Sequence, residues 1–295
     1  GPVERPTVVT SFADYKNKFG TTFVSASENL EFFTSIAVQK YFANGGNSML
    51  VTRVASGSLT EATSSHISAS NNDSVQPFTL KTLGQGSVFN ATTGINDAGA
   101  EFKDGSLESG SADNLRWEIS GVNNTAGTFN LSIRRGDDNT KNKLILETFI
   151  GCSLDPKSDN YIAKVIGDLH TDTITESGQT FIRTKGEYPN RSKFVRVDTV
   201  TQTPDYTLLD GSVGTDTANT SYSASLPITS SGSFHGGTGA VFANGLKTFD
   251  KISASNAQGL IASDYTTAFN ILKNTDEYRF ATLTAPGLYN KDFAA

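Results

Sequence analysis

Two stretches near the middle of the chain, NLRWEIS at 114–120 and TFNLSIRRG at 128–136, decide the fold class. In both, apolar residues alternate with polar ones, and a period of two is typical of a half-buried strand. Turn-forming residues bound both stretches, so they predict antiparallel strands. Trp117 and Phe129 occupy apolar positions of the pattern, and we expect both to pack in the core.

The sequence on either side continues in this pattern. Three more runs predict short strands: PFTLKTL at 77–83, KLILETFIG at 143–151 and SKFVRVDTV at 192–200. One helix interrupts them, with Asp155 or Ser158 as its N-cap and Gly167 at its end. Its apolar face comprises Tyr161, Ile162, Val165 and Ile166.

Residues 199–238 show neither the strand nor the helix period and predict a long polar connection. The whole region 56–240 is therefore interpreted as a β-rich antiparallel insertion domain, built as one body or as two subdomains.

The N-terminal part of the chain has a different character. Residues 7–10 predict a strand, and Ser11 with Asp14 predicts the capped start of a helix that Gly20 ends. A second helix, capped by Ser25 or Ser27, ends at 44–46. Its apolar residues are Leu30, Phe33, Ala37 and Tyr41.

The run MLVTRV at 49–54 predicts a further strand. Because the intervening residues are mostly helical, the strands at 7–10 and 49–54 are expected to be parallel neighbours. At the other end of the chain, Ser263 begins a predicted helix and 278–284 reads as a strand. The fold class is accordingly α+β: an α/β core from 1–55 and 241–295, interrupted by the insertion.

Composition excludes several classes of function. A net charge of −6 disfavours non-specific nucleic-acid binding, which needs clustered Lys and Arg. No apolar run is long enough to span a membrane. The chain has a single cysteine, Cys152, which excludes an intrachain disulfide. We expect it to be a small core residue. His66, His170 and His235 lack the spacing of a zinc site.

No motif in the sequence predicts catalysis. The stretch GGTGAVFANGLKT at 236–248 differs from a P-loop in its glycine spacing and in Leu246, which separates Gly245 from Lys247. We expect no nucleotide binding there. The acidic pairs Asp137–Asp138 and Asp172–Glu176 lie in polar surroundings and are expected to be solvated. The sequence thus predicts no catalytic, cofactor-binding or metal-binding residues and no enzyme activity.

Several segments resemble the phage tail sheath proteins, the outer polymer of contractile tails. GPVERPTVV, SFADYKNKFG and EFFTSIAVQKYFANGGNSMLVTRV resemble the start of the family's core domain. NLRWEIS, LETFIGCSLDPKSDNYIAKVIG and GEYPNRSKFVRV resemble strands and a helix of its insertion. DEYRFATLTAPGL resembles the return into the core. Residues 56–110 and 199–240 carry little of this resemblance.

The resemblance implies a virion protein, assembled in the host cytoplasm, that polymerises around a tail tube and contracts to deliver the genome. Its implied partners are other sheath subunits, the tail tube and the baseplate. It also implies a fragment without the family's N-terminal and C-terminal segments, in which Gly1 is a loop residue, and an isolated chain that is monomeric. A surface-binding, adhesin-like module is the alternative.

The residues that would contact neighbouring subunits cannot be read from the pattern alone. The polar faces of the two early helices offer Lys16, Lys18, Glu28 and Glu31 as candidates, although a solvated helix face is the simpler interpretation.

Overall fold

The structure is a computed structural model and describes residues 3–25, 28–31, 33–55, 59–70, 73–91, 101–201, 226–238 and 262–285. The fold is α+β and rich in antiparallel strands. The chain divides into two compact units. The first consists of Gly1–Leu59, Asp172–Arg183 and Ala240–Ala295, and the second of Thr60–Thr171 and Thr184–Gly239.

The first unit begins with strand β1 (Thr7–Val9) and helix α1 (Phe12–Phe19). Ser11 caps the helix as predicted, because its Oγ accepts a hydrogen bond from the Asp14 amide at 3.0 Å. Gly20 ends the helix at φ 75°, a conformation that favours glycine, and its N–H donates to the Lys16 carbonyl.

The next segment corrects the prediction of a helix capped at Ser25 or Ser27. Strands β2 (Thr22–Ser25) and β3 (Glu28–Glu31) form an antiparallel pair, and helix α2 (Phe33–Ala43) begins only afterwards. The sequence TFVS of β2 is rich in residues that favour strands, which explains the pairing. The predicted end of the helix is confirmed, since the Gly46 N–H donates to the Tyr41 carbonyl.

The pairing of β1 with β4 (Met49–Val51) is a second correction, because the strands are antiparallel rather than parallel. The crossover rule applies to strands joined by one helix, whereas α1 and α2 both lie between β1 and β4. Two helices and the β2–β3 hairpin separate β1 from β4, so the rule does not require these strands to be parallel. Val9, Tyr15 and Val38 form the buried core of these elements.

The C-terminal part of the first unit contains helix α4 (Ala262–Leu272), which confirms the predicted helix near Ser263. Among the side chains that the structure describes in this helix, Ala268, Ile271 and Leu272 are buried. The strand predicted at 278–284 is wrong, because this segment is irregular. Phe280 is 45% exposed and Leu283 is 52% exposed, so neither finds the partner that a buried strand requires.

The second unit is built on a seven-stranded sheet in which every pairing is antiparallel. Its strands are β5 (Glu61–Ser64), β6 (Phe78–Gln85), β7 (Leu115–Asn123), β8 (Thr128–Arg135), β9 (Ile145–Ser153), β12 (Val195–Val200) and β13 (Ser230–His235). The order across the sheet is β12-β6-β5-β13-β7-β8-β9. All five strands predicted from alternating residues are confirmed.

Strand β13 corrects the prediction that 199–238 is a polar connection throughout. Its first residues pair with β7 and its last two pair with β5, so it lies at the centre of the sheet. The sequence SSGSFH has almost no apolar alternation. It forms a strand because the two neighbouring strands supply the partners for its backbone.

The side of the sheet that carries Trp117 packs into one hydrophobic core. Its largest buried members are Trp117, Phe78, Phe129 and Phe234, and the rings of Phe78 and Phe129 stack at 5.6 Å. Helix α3 (Ile162–Ile166) contributes Ile162, Ala163 and Ile166 to the same core.

Helix α3 ends at Gly167, as predicted. Its N-cap, however, is Tyr161 rather than Asp155 or Ser158. Those two residues belong to the preceding turn, where the Ser158 amide donates to the Asp155 carbonyl.

A separate two-stranded sheet follows α3, formed by β10 (His170–Glu176) and β11 (Gln179–Lys185). Its turn places Ser177 and Gly178 at φ 52° and 79°, and positive φ at both central residues is characteristic of a tight hairpin turn. Residues 172–183 of this hairpin belong to the first unit and differ in this from the expected insertion at 56–240.

Candidate functional site

The face of the sheet opposite the hydrophobic core carries the most distinctive group of side chains in the second unit. Along β7 and β8, Trp117, Ile119, Leu131 and Ile133 point into the core, and the residues between them occupy the other face. There, Arg116 lies directly opposite Arg134. Arg116 is 0% exposed and Arg134 is 1% exposed, so two guanidinium groups are buried side by side.

Asp138 holds these two arginines together. Its carboxylate accepts hydrogen bonds from Nε of Arg134 at 2.6 Å and from Nη2 at 2.9 Å, a bidentate geometry. The same carboxylate accepts from Nη1 of Arg116 at 3.2 Å and from the Leu144 amide at 3.0 Å. The Asp138 side chain is fully buried, and all of its donors come from its own unit.

Arg116 has two further partners in the segment that precedes β7. Its Nη1 donates to the Gly105 carbonyl at 2.7 Å, and its Nη2 pairs with the Glu101 carboxylate. The Thr140 hydroxyl donates to the Asp104 carbonyl at 3.0 Å. The segment before β7 is thereby bonded both to the buried arginine and to the loop that carries Asp138.

The outer end of the cluster opens to solvent at Glu118 and Lys143. Glu118 accepts from Nη1 of Arg134 at 2.9 Å and from Nζ of Lys143 at 2.6 Å. A groove of about 270 Å³ lies above them, and its remaining lining residues are mostly hydroxyl-bearing: Ile119, Thr140, Thr229, Ser230 and Ser231.

We call these six residues the charge network: Glu101, Arg116, Asp138, Arg134, Glu118 and Lys143. Three positive and three negative groups alternate along it, so the net charge of the network is zero. Each carboxylate already accepts from arginine or lysine, so none is presented as a free base or nucleophile. The arrangement is therefore suited to joining strands and loops rather than to proton transfer.

A smaller cluster of the same kind lies on strands β12, β6 and β5. Arg196, 3% exposed, donates to Glu61 at 2.7 Å and to Asp198 at 2.9 Å. Lys81 completes the cluster with a contact of 3.1 Å to Asp198. These charges also satisfy one another within the second unit.

The structure corrects the expectation that Asp137 and Asp138 are both solvated. Asp137 fits it, since its carboxylate pairs with the exposed Arg135. Asp138 does not, because it is the buried centre of the charge network. The alternating pattern of β7 and β8 could have predicted the burial of an acidic residue here. It places Arg116 and Arg134 on one face of the sheet, and two buried cations require an anion.

The other residues singled out in the sequence do not come together as a site. His66 contacts the Asp73 carbonyl, His170 contacts the Asp168 carbonyl, and His235 lies in β13. Asp172 is 3.9 Å from Arg183 across the hairpin, and Glu176 is exposed beside its turn. Among the described residues, no group of three His, Cys, Asp or Glu side chains is placed to hold a metal ion.

Cys152 is fully buried in the core of the second unit, as expected for a small core residue. Burial raises the pKa of its thiol to about 12, which leaves the thiol protonated at neutral pH.

Of the candidates for contacts between subunits, Lys16 and Lys18 lie in α1, whereas Glu28 and Glu31 belong to strand β3 and not to the predicted helix face. Lys18 bonds Asp14 at 2.9 Å and the Val8 carbonyl at 3.0 Å. Nζ of Lys16 lies 5.9 Å from the centre of the Phe12 ring. Glu31 accepts from the Ser35 hydroxyl at 3.3 Å. The side chain of Glu28 lies outside the described residues, as does most of 236–248.

Within the described part of the chain, no helix is both long enough and apolar enough to cross a membrane. No protein-family model matches the chain, and the comparison with curated proteins found no match. Among solved structures, the chain is similar to a sheath tail protein of Listeria innocua, with 11% sequence identity and a TM-score of 0.39. The similarity covers 95% of this chain and 36% of that protein's chain.

Proposed function

We propose that this chain is part of a structural subunit of a contractile phage tail sheath. In this role it polymerises with copies of itself around a tail tube, and contraction of the polymer drives genome delivery. The proposal assigns no catalytic step, cofactor or nucleic-acid partner to the chain.

The observation that carries the proposal is the way one unit interrupts the other. In the chain, the two segments of the second unit lie between the first and last segments of the first unit, and the short segment Asp172–Arg183 of the first unit separates them. The sequence motifs that resemble sheath proteins occur in the same order: core, insertion, return to the core. The chemistry of the described residues supports a structural role as well, because the charged groups of the charge network bond to one another within the protein.

The mechanism that follows is a difference between two lattices of nearly rigid subunits. Each subunit exchanges one set of neighbour contacts for another while its folded body moves as a whole. A gain of a few kcal/mol per subunit, typical of bistable states, becomes large when many subunits change together. A rigid body is needed for such coupling, and a buried ion cluster that joins loops to strands contributes to rigidity.

Labelling of tails by electron microscopy tests the proposal. Antibody fragments raised against residues 60–171 should decorate the shaft of contractile tails along its whole length, in both extended and contracted particles. Fragments raised against a capsid protein of the same particle provide the control. Decoration confined to tail fibres or to the tail tip, with a bare shaft, would overturn the sheath assignment.

A second candidate function rests on the groove beside the charge network. Its hydroxyl-rich lining and the half-exposed Lys143 would suit a polar ligand such as a glycan. A glycan array probed with this chain tests that alternative, with Lys143→Ala in the groove and Lys103→Ala outside it as the matched pair. Binding that only Lys143→Ala abolishes would favour the adhesin-like module.

A further inference from the structure

Three buried side-chain atoms among the described residues make no hydrogen bond within the protein: Nε of Arg116, Nε of Arg196 and Oγ of Ser233. Buried polar atoms in folded proteins are almost always bonded either to protein groups or to ordered water. Arg116 and Ser233 are both 0% exposed, so bulk solvent does not reach them. Each of these atoms therefore requires a partner that lies inside the protein.

Arg116 and Ser233 are direct neighbours across the sheet. Strand β13 pairs with β7 in a register that sets Ser233 opposite Arg116. Opposed residues in antiparallel strands have Cβ atoms about 4.5–5.5 Å apart and side chains on the same face. Trp117, the next residue of β7, points into the hydrophobic core. Ser233 and Arg116 therefore share the opposite, polar face.

The rest of the Arg116 guanidinium is already bonded. Nη1 donates to Gly105 and Asp138, and Nη2 pairs with Glu101. These contacts hold the outer end of the side chain, so Nε cannot turn away to find another partner without breaking them. The unbonded Nε–H and the unbonded hydroxyl of Ser233 thus belong to directly paired residues on one face of the sheet.

We propose that Nε of Arg116 and Oγ of Ser233 bind one buried water molecule between β7 and β13. The water accepts from the Arg116 Nε–H, and the Ser233 hydroxyl can either donate to it or accept from it. Bridging waters of this kind satisfy polar groups that the protein itself cannot pair, and they are part of the folded structure.

Charge balance selects water over an anion. Two donors could also hold a chloride ion, but the charge network already balances its positive and negative groups. An extra buried anion would have no compensating cation and would carry the full cost of its own desolvation. A neutral acceptor satisfies the same two atoms without that cost.

A crystal structure at atomic resolution tests the site. The expected result is one density peak at hydrogen-bond distance, about 2.7–3.2 Å, from both Nε of Arg116 and Oγ of Ser233. A direct hydrogen bond between these two atoms, with no peak, would overturn the proposal. Crystals grown with bromide in place of chloride give the second arm, because an anomalous peak at this position would identify an anion instead.

Two matched variants extend the test. Ser233→Ala removes one partner of the water and should abolish or markedly weaken the peak. Ser231→Ala alters the next residue on the same face of β13 and should leave the peak unchanged. A full peak in Ser233→Ala would contradict the role of the hydroxyl. If Ser233→Ala does not fold, the wild-type chloride and bromide structures still decide the proposal.

Discussion

Gly232 lies opposite Trp117 in the pairing of β13 with β7. A Cβ atom at this glycine would come within 2.5 Å of Cζ2 of Trp117 and would also collide with Oγ of Ser65. Trp117 is buried and donates from its indole nitrogen to that same Oγ at 3.2 Å. The ring and the hydroxyl are therefore fixed, and the strand passes them only because residue 232 has no side chain.

Gly232→Ala should destabilise the second unit by about 1–3 kcal/mol, the usual cost of overpacking a core. Urea unfolding followed by tryptophan fluorescence measures the change, because Trp117 is the single tryptophan of the chain. Ser231→Ala on the same strand serves as the control and should cost much less. An unchanged unfolding midpoint for Gly232→Ala would show that the ring can move aside.

The thiol of Cys152 gives a second test at this scale. Burial raises its pKa from 9.0 to about 12, so the folded state favours the protonated thiol. The stability that this contributes is complete below about pH 9 and is lost as the pH rises towards about 12. At about pH 8 the native chain should not react with Ellman's reagent, whereas the chain in denaturant should react fully. Rapid reaction of the native chain would contradict the burial of this residue.

At the scale of elements, the charge network joins β7 and β8 to the two loops beside them. Asp138→Ala should cost about 3–5 kcal/mol, because it leaves two buried arginines without their shared anion. Asp137→Ala is the matched control, since the Asp137–Arg135 pair is exposed. Exposed pairs contribute about 0–1 kcal/mol. Chemical denaturation of both variants measures the difference, and equal losses would contradict the central role of Asp138.

The stability of helix α1 depends on the hydrogen bond of its N-cap. Ser11→Ala removes the acceptor of the Asp14 amide and should destabilise the helix by about 1 kcal/mol. Hydrogen exchange of the α1 amides measures the loss, and Ser11→Asp should restore protection because aspartate is also a good N-cap. Equal exchange in Ser11→Ala and the wild type would show that packing alone holds the helix.

At the scale of the whole molecule, we predict that the chain is a monomer in solution. The charge network and the Arg196 cluster bond their charged groups within the chain, and a specific interface needs about 1,000 Å² or more of buried surface. In the proposed role the subunits polymerise around a tail tube, and the purified chain has no tube on which to assemble. Sedimentation velocity over a range of concentrations measures the mass, and stable rings of this chain would refute the prediction.

The sequence by itself determined the elements whose cause is local. The cap at Ser11, the glycine ends of α1 and α3, and five strands of the large sheet all follow from contacts between near neighbours or from a period of two. The burial of Trp117 and Phe129 follows from the same alternation, and that of Cys152 was predicted from its apolar neighbourhood. The fold class could therefore be predicted from the residue order.

Only the tertiary structure decided the features that depend on residues distant in the chain. The antiparallel pairing of β1 with β4 depends on the two helices and the hairpin that separate them. The central place of β13 depends on the backbone partners that β5 and β7 supply on either side of it. The burial of Asp138 depends on two arginines that β7 and β8 bring together. No local pattern around SSGSFH or Asp137–Asp138 predicts these features. The strands and side chains that stabilise them are distant in the chain and come into contact only when the sheet forms.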